Sequence, residues 1–298
     1  MNGKDITSRR NFIHQMAVLA GGMAAPALVR DRGLGKEASS DEQICARKFA
    51  LATKESLSQR AIGEVVVAIG VSFLGTPYVA KTLEQPGAEH LVINLHGLDC
   101  VTFVENTLAL SRCVKLGTTT FEMYKHQLQR IRYRDGVIDG YASRLHYFSD
   151  WIDDNEKKGV LTNISTEIGG RVYEKKLGFM SSHPSSYKQL SDTSVLEKIR
   201  DRESAINARR HYYCPKEQLS AVEKKIEAGD IIGITTSIEG LDIIHTGIAL
   251  RANGVLKYLH APLSNGKVQI SEVSLIEYLN SHQKHTGVMV ARPLEPVS

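Results

Sequence analysis

Residues 97–110 read GLDCVTFVENTLAL, and the prediction of the fold starts from this stretch. After Cys100, Val104 and Leu108 recur at the spacing of one helix face, which predicts an amphipathic helix. Asp99 stands directly before this pattern and belongs to the residue types that cap helix N-termini. Cys100 therefore falls in the first turn of a helix, where the partial positive charge favours a thiolate.

Helical patterns also surround this stretch. A capping signal at Ser39-Ser40-Asp41 predicts an amphipathic helix that runs to about residue 59, and an apolar stretch follows over 62–74. Gly117 ends the cysteine helix, and residues 118–185 are expected to be mixed and rich in loops. Further helices are predicted over residues 197–209 and 216–228.

Towards the C-terminus the pattern changes to the period of two that is typical of strands. Ala252-Asn253-Gly254 is a hairpin signal, and it separates a strand containing His245 from a return strand that ends at His260. Helices followed by an antiparallel sheet define an α+β fold, with the cysteine helix packed on the sheet. Strands are expected over residues 231–235, 241–250, 255–260, 268–270 and 288–290, with a short helix over 274–280.

The bulk composition is that of a globular protein. The 298 residues are 42% hydrophobic and 23% charged, which excludes the disordered and fibrous classes. The formal net charge is +4 and no dense run of lysine or arginine occurs, so nothing indicates nucleic-acid binding. We expect residues 28–298 to form a single domain.

The first 27 residues have the parts of an export signal. Ser8-Arg9-Arg10 precedes a mostly apolar stretch over residues 16–25, and small residues follow at Ala25-Pro26-Ala27. These parts are typical of a twin-arginine signal peptide, and the apolar stretch is too short to span a bilayer. We predict cleavage near Leu28, no membrane anchor, and a mature protein in the periplasm or secreted. A retained N-terminal helix is the alternative.

Cysteine usage fits neither a zinc site nor a disulfide framework. No pair has the short spacing of a metal knuckle, and no His-Glu-x-x-His motif occurs. So few cysteines in so long a chain are not a disulfide scaffold, although one bridge stays open, for example between Cys113 and Cys214. We expect no metal and no cofactor. The four cysteines are Cys45, Cys100, Cys113 and Cys214.

Cys100, His245 and His260 suit nucleophilic catalysis. A thiolate attacks, an adjacent histidine takes the thiol proton, and a second polar group holds that histidine in its working tautomer. His245 lies among isoleucines in mid-strand, and His260 on the return strand can orient it because cross-strand neighbours approach to about 5 Å. Singly, such residues are more often structural; their joint arrangement favours catalysis. The other histidines are expected on the surface or in loops.

The segments around these residues resemble the NlpC superfamily of papain-like cell-wall cysteine peptidases and amidases. Leu74-Gly75-Thr76-Pro77-Tyr78 is similar to the segment before its nucleophile. Asp99-Cys100-Val101-Thr102-Phe103 resembles its Asp-Cys-Ser-x-Phe motif, with valine in place of the usual serine. Ala228-Gly229-Asp230-Ile231 is similar to its Pro-Gly-Asp-Leu segment, His245-Thr246-Gly247-Ile248 to its His-Val-Gly-Ile, and Leu259-His260-Ala261 to its following histidine.

Over about residues 62–293 the chain also resembles the narrower N-acetylmuramoyl-L-alanine amidase-like family. This resemblance implies a papain-like NlpC-type α+β fold with family-specific insertions. It also implies an amidase that cuts between N-acetylmuramic acid and L-alanine in small peptidoglycan fragments. The segments that carry it are Tyr78 with Thr82-Leu83-Glu84, Leu91 to Leu95, Asp99 to Glu105, Arg144 to Ile152, Gly169-Gly170, and Gly240 to Gly247.

The resemblance further implies the roles of the site residues. Cys100 would attack the amide carbonyl, His245 would act as base and then as acid toward the leaving amine, and His260 would orient His245. The backbone N–H of Cys100 would help to hold the oxyanion. Candidates for substrate contact or site scaffolding are Tyr78, Glu84, Asn94, Asp99, Thr102 and Arg144.

Three other functions stay open at this point. A D-glutamyl endopeptidase of the same superfamily would use the same three residues and cut lower in the stem peptide. A thiol acyltransferase would act on lipid or amine substrates through the same nucleophile. A non-catalytic cell-wall protein would have kept the fold, although the cysteine and both histidines are present here. For the amidase we expect muramyl peptides as partners, no nucleic acid, and a monomer.

Overall fold

The computed structural model describes residues 40–297. The predicted export signal over residues 1–27 therefore lies outside the described part of the chain. Within the described part, none of the helices combines the length and the apolar character that crossing a bilayer requires. The helices are α1 (Asp41–Lys54), α2 (Ile62–Val71), α3 (Cys100–Lys115), α4 (Phe121–Arg132), α5 (Phe148–Lys157), α6 (Phe179–Ser182), α7 (Thr193–Asn207), α8 (Leu219–Val222) and α9 (Leu275–Asn280).

The strands form one antiparallel sheet in the order β2-β3-β8-β4-β5-β6-β7, and β1 also pairs with β8. Mixed helices with an antiparallel sheet confirm the predicted α+β class. The hairpin of β5 and β6 turns at Asn253-Gly254, as the sequence predicts. The strands are β1 (Leu161–Asn163), β2 (Arg171–Val172), β3 (Tyr212–Pro215), β4 (Ile231–Thr236), β5 (Ile243–Ala252), β6 (Val255–His260), β7 (Gln269–Ile270) and β8 (His285–Pro293).

Helix α3 is the centre of the fold. It packs against α2 and α4 on one side and against β5 on the other. The sequence predicts an amphipathic helix, but every residue from Thr102 to Val114 is buried because protein surrounds α3 on all sides. Several of its polar side chains make hydrogen bonds inside the protein. Asn106 accepts a hydrogen bond from the Tyr124 hydroxyl, and Arg112 donates one to Gln127.

Residues 118–185, which were predicted to be mixed and rich in loops, contain three helices, α4, α5 and α6. Helix α4 starts at a cap in which the Thr120 hydroxyl accepts from the Met123 N–H, and it buries Tyr124 and Leu128. Helix α5 buries Trp151 completely, with its ring stacked on Phe148 at a centroid distance of 4.9 Å. Trp151 is thus a core residue.

The predicted helix over residues 216–228 is broken into short turns. Helix α8 spans one turn, between 3-10 turns at Lys216–Gln218 and Glu223–Lys225. The Arg251 guanidinium donates to the carbonyls of Glu223 and Ile226, at 2.7 and 3.2 Å. Arg251 thus binds backbone carbonyls in the turn that ends this segment.

Candidate active site

Cys100 is the first residue of α3, as the sequence predicts. The Asp99 carboxylate accepts the N–H of Thr102 at 2.8 Å, and the Thr102 hydroxyl accepts the N–H of Asp99 at 2.9 Å, which completes a capping box. Cys100 is partly exposed and its thiol is free. The cap thus fixes a reactive atom at the positive end of a long buried helix.

Two opposing influences act on the Cys100 thiol. Burial of the sulfur, and after it the charge of Asp99, raise the pKa of the thiol to about 12. Backbone hydrogen bonds of Thr246, Val101 and Cys100 itself act in the other direction. The contact with Thr246 places the sulfur against β5, at the residue that follows His245 in the chain. Three backbone groups are already aimed at the atom that would carry negative charge.

His245 and His260 form a hydrogen-bonded pair on neighbouring strands. His245 Nε2 lies 2.8 Å from His260 Nδ1. Burial, followed by the neighbouring His260, lowers the pKa of His245 to about 3, and burial lowers that of His260 to about 4. Both rings are therefore neutral near pH 7, and His245 keeps Nδ1 as its second ring nitrogen for a partner other than His260.

The pair is diagonal rather than directly opposite. His260 faces Gly247 across the ladder, two residues along β5 from His245. A Cβ at Gly247 would lie 2.5 Å from the Leu259 carbonyl oxygen and 3.0 Å from His260 Cβ. Because Gly247 has no side chain, the His260 ring has space to cross diagonally to His245.

Tyr78 borders the same site. Its N–H donates to the Gly266 carbonyl at 2.8 Å, and the neighbouring backbone pairs with Leu98, two residues before Cys100. Burial and, after it, the charges of Cys100 and Asp99 raise the pKa of the Tyr78 hydroxyl. The structure therefore brings Tyr78 close to Cys100.

Glu84 and Arg144 meet each other in an ion pair. Arg144 Nη2 lies 2.6 Å from the Glu84 carboxylate and Nη1 donates to the Leu83 carbonyl at 2.7 Å. The Tyr141 hydroxyl also donates to Glu84, and Glu89 lies 3.7 Å from Arg144 Nε. Arg144 is 4% exposed, so this cluster fixes the loop that leads towards Tyr78 and Cys100.

Asn94 and Thr102 are used in local backbone contacts. The Asn94 side chain accepts the N–H groups of His96 and Gly97, both at 3.0 Å, in the turn before Cys100. Thr102 is 3% exposed and occupied by the cap of α3. Both residues shape the approach to Cys100 in this structure.

An aromatic cluster behind the histidine pair was not foreseen from the sequence. Tyr258 from β6 and Tyr278 from α9 pack against His260, with centroids 4.8 and 5.2 Å away. Tyr278 also packs against His282 and His285. His285 is 5% exposed and lies in β8, so the prediction that it lies on the surface or in a loop is wrong. Of this cluster, the sequence predicts only that Tyr258 lies on the same face of β6 as His260, because side chains alternate along a strand.

The remaining cysteines lie away from this site. Cys45, Cys113 and Cys214 are buried and free, so the described structure contains no bridge between Cys113 and Cys214. Among residues 40–297 no three or more histidine, cysteine or acidic side chains are grouped in a way that would hold a metal ion. The chemistry available at the site is that of a thiol beside neutral imidazoles.

Comparisons with known proteins agree with this fold. A solved Bacteroides uniformis N-acetylmuramoyl-L-alanine amidase is 39% identical, with a TM-score of 0.75 over 78% of this chain and 98% of its own. A Bacteroides fragilis structure that carries the provisional name of a xylanase is 39% identical, with a TM-score of 0.71 over 75% and 98%. A Legionella pneumophila protein shares the fold at 24% identity, with a TM-score of 0.63 over 87% and 99%. A comparison with curated proteins found no match.

The fold and these comparisons define an amidase-like class of cell-wall hydrolase. The model of one family within that class, described as N-acetylmuramoyl-L-alanine amidase-like, matches residues 68–288. The chain belongs to this N-acetylmuramoyl-L-alanine amidase-like family.

Proposed function

We propose that the chain is a cysteine amidase that cuts the bond between N-acetylmuramic acid and L-alanine. The observation that carries the proposal is the meeting of three groups from distant parts of the chain. Cys100 stands at a capped helix start against Thr246, and the adjacent His245 is hydrogen-bonded to His260 at 2.8 Å. Cysteine, base and orienting group in this order are the parts of a nucleophilic hydrolase.

We also propose that the fold is the papain-like fold of the NlpC superfamily. The support is the nucleophile at the start of a central helix, packed on an antiparallel sheet whose adjacent strands β5 and β6 carry the two histidines. The order of the motifs along the chain is also that of the superfamily.

In the first half of the reaction, Cys100 Sγ attacks the lactyl amide carbonyl while His245 Nδ1 takes the thiol proton. Burial favours the neutral forms of both groups, so proton transfer and attack occur together rather than from a preformed ion pair. The N–H of Cys100 at the helix start stabilises the oxyanion. The C–N bond then breaks, and the proton on His245 passes to the amine of L-alanine.

In the second half, water hydrolyses the thioester. His245 accepts a proton from the water as its oxygen attacks, the C–S bond breaks, and the proton returns to Cys100. His260 keeps His245 Nε2 engaged throughout, so the ring does not rotate away between the two halves. The products are free N-acetylmuramic acid and the stem peptide.

The same proposal covers substrate and location. Muramyl peptides are the partners, small fragments are preferred to intact wall, and the protein acts as a monomer after export by the twin-arginine route. A xylanase activity, which the provisional name of one relative suggests, would need a pair of catalytic carboxylates. The carboxylate next to Cys100 is Asp99, and it is held in the helix cap.

Purified mature protein incubated with muramyl tripeptide tests the proposal, with products identified by mass spectrometry. We expect release of free N-acetylmuramic acid by the wild type and by Cys214→Ala, because Cys214 is a buried free cysteine in β3 away from the site. Cys100→Ala should release none. Activity that survives in Cys100→Ala would contradict the cysteine mechanism.

The products also separate the other functions. Muramyl dipeptide or L-Ala-D-Glu among the products would move the cut down the stem and establish the endopeptidase. A new amide or ester formed only with an added amine or lipid acceptor would establish a transferase. Binding of the fragments without any cleavage would indicate a cell-wall binding protein.

A further inference from the structure

His260 has one ring nitrogen without a hydrogen-bond partner. Its Nδ1 contacts His245 Nε2 at 2.8 Å, whereas its Nε2 is buried and makes no hydrogen bond. The side chain as a whole is 1% exposed. A buried polar atom of this kind is uncommon and needs an explanation, above all when it carries a proton.

Whether Nε2 of His260 carries that proton decides which tautomers the two histidines adopt. In one arrangement His245 donates from Nε2 to His260 Nδ1, so the His260 proton sits on its Nε2 and His245 Nδ1 is free. In the other, His260 donates from Nδ1, and the His245 proton must sit on Nδ1. Only the first arrangement leaves His245 able to take the thiol proton, and it places an N–H at the unpartnered position.

Tyr278 packs its aromatic ring beside the His260 ring. Its ring and that of His260 are perpendicular, at 89°, with centroids 5.2 Å apart. Where the imidazole presents its edge to the aromatic face of such a T-shaped pair, an N–H on that edge points toward the negative face of the ring. The other neighbouring ring, Tyr258, is tilted by 43° and its hydroxyl donates to the Ile232 carbonyl.

The position of Tyr278 is itself well supported. It lies on α9, whose start is fixed by the capping box of Ser274 and Glu277. On its other side the ring packs against His282 and His285, which stack on each other at 4.4 Å. The ring is thus held between the catalytic pair and a second pair of histidines.

We propose that Tyr278 is a positioning residue whose aromatic face accepts the Nε2–H of His260 and thereby fixes the tautomer in which His245 Nδ1 is free. The consequence for catalysis rests on the amidase mechanism proposed above. The tautomer itself does not, because it belongs to the protein without substrate. The ring, not the hydroxyl, performs this role.

Activity of matched variants gives the first test. Tyr278→Phe keeps the ring, and we expect kcat within about twofold of wild type. Tyr278→Leu removes the ring, and kcat should fall by about tenfold or more with little change in KM, since the wrong tautomer disables the base. Tyr213→Leu, which removes a half-buried ring packed on Tyr173 outside the site, should leave kcat unchanged. Equal losses in Tyr278→Phe and Tyr278→Leu would overturn the role of the ring.

Nitrogen-15 spectra of the histidines give the second test and need no substrate. Signals of His245 and His260 are assigned by the His245→Gln and His260→Gln variants. We expect both rings of the wild type to be protonated at Nε2, and the His260 Nε2 proton to be shifted upfield because it lies over an aromatic face. A His245 ring protonated at Nδ1, or a downfield His260 proton, would overturn the proposal even if Tyr278→Leu does not fold. Correct tautomers without amidase activity would remove the proposed function alone.

Discussion

Gly247 sets how closely the two histidine strands approach each other. It faces His260 across the ladder, and a Cβ added to it would lie 2.5 Å from the Leu259 carbonyl oxygen and 2.9 Å from the Tyr258 ring. Side chains on either strand would hold the backbones or the rings apart. A residue without chemistry of its own therefore determines whether His245 and His260 come within hydrogen-bond distance.

Gly247→Ala should therefore destabilise the fold and weaken the histidine pair together. The added methyl group would sit 2.5 Å from a backbone oxygen that cannot move without opening the hairpin. We expect a loss of about 1–3 kcal/mol in the free energy of unfolding, measured by urea denaturation, and a lower kcat in the folded fraction. A variant with the wild-type midpoint and full activity would contradict this view of Gly247.

Asp99 affects Cys100 in two separable ways, through the cap and through its charge. Asp99→Asn keeps a capping side chain but removes the negative charge, so the pKa of the Cys100 thiol should fall. The pH dependence of iodoacetamide alkylation would show this as faster reaction at a given pH.

Asp99→Ala serves as the comparison, since it loses the cap as well and should cost about 1 kcal/mol of stability. Slower alkylation of the Asp99→Asn variant than of wild type would show that the cap, and not the charge, dominates the thiol.

At the scale of the element, helix α3 begins at Cys100 and carries buried polar and charged side chains along its length. Glu105 and Arg132 form an ion pair of 2.7 Å between α3 and α4, and both side chains are at most 3% exposed. Arg132 also donates to the Val92 carbonyl in the segment before Cys100. Burial raises the pKa of Glu105 while Arg132 acts to lower it. The pair therefore ties α3 to the segment that leads into it.

Removing one partner of this pair should be more harmful than removing both. Arg132→Met leaves the Glu105 carboxylate buried without a cation, and we expect a loss of about 3–5 kcal/mol. The double variant Glu105→Gln with Arg132→Met should recover part of that loss. Thermal unfolding of the two proteins checks this, and equal destabilisation would show that the cation serves only through its packing.

At the scale of the whole molecule, four histidines are held neutral by burial. The pKa values of His146 and His245 are lowered to about 3, and those of His260 and His285 to about 4. In the unfolded chain they would titrate near 6.5. Between these values the unfolded state binds protons that the folded state does not, so stability falls as the pH drops from about 6.5 towards 4.

His146→Gln provides a measurement of this effect outside the proposed site. The wild type should lose stability more steeply than the variant below pH 6.5, by up to about 1.4 kcal/mol per pH unit for the one histidine removed. Urea denaturation at pH 7, 6 and 5 gives the two slopes. Parallel slopes would mean that His146 is protonated in the folded protein.

Much of the architecture follows from local signals in the sequence. The cap at Asp99, the hairpin turn at Asn253-Gly254 and the alternation of the strands predict where Cys100, His245 and His260 lie. The register of β5 against β6 was not predictable. It pairs His260 with Gly247, two residues from His245, and the diagonal contact of the histidines depends on the absence of a side chain at Gly247. Tyr278 and His285 were missed since they reach the site from elements far along the chain. Helix α4 was not predicted, although its apolar spacing is regular, because Gly117, Gly136 and Gly140 on either side of it are typical of loops.

Strand β8 lies between β4 on one side and β1 and β3 on the other, although it is the last strand in the chain. During synthesis the hairpin with both histidines leaves the ribosome before the strand that completes its sheet. Until then β3 and β4 each have an edge without a partner strand, so the final topology forms only after β8 has emerged. The strands β5 and β6, with His245 and His260, therefore belong to a sheet that only the last strand in the chain completes.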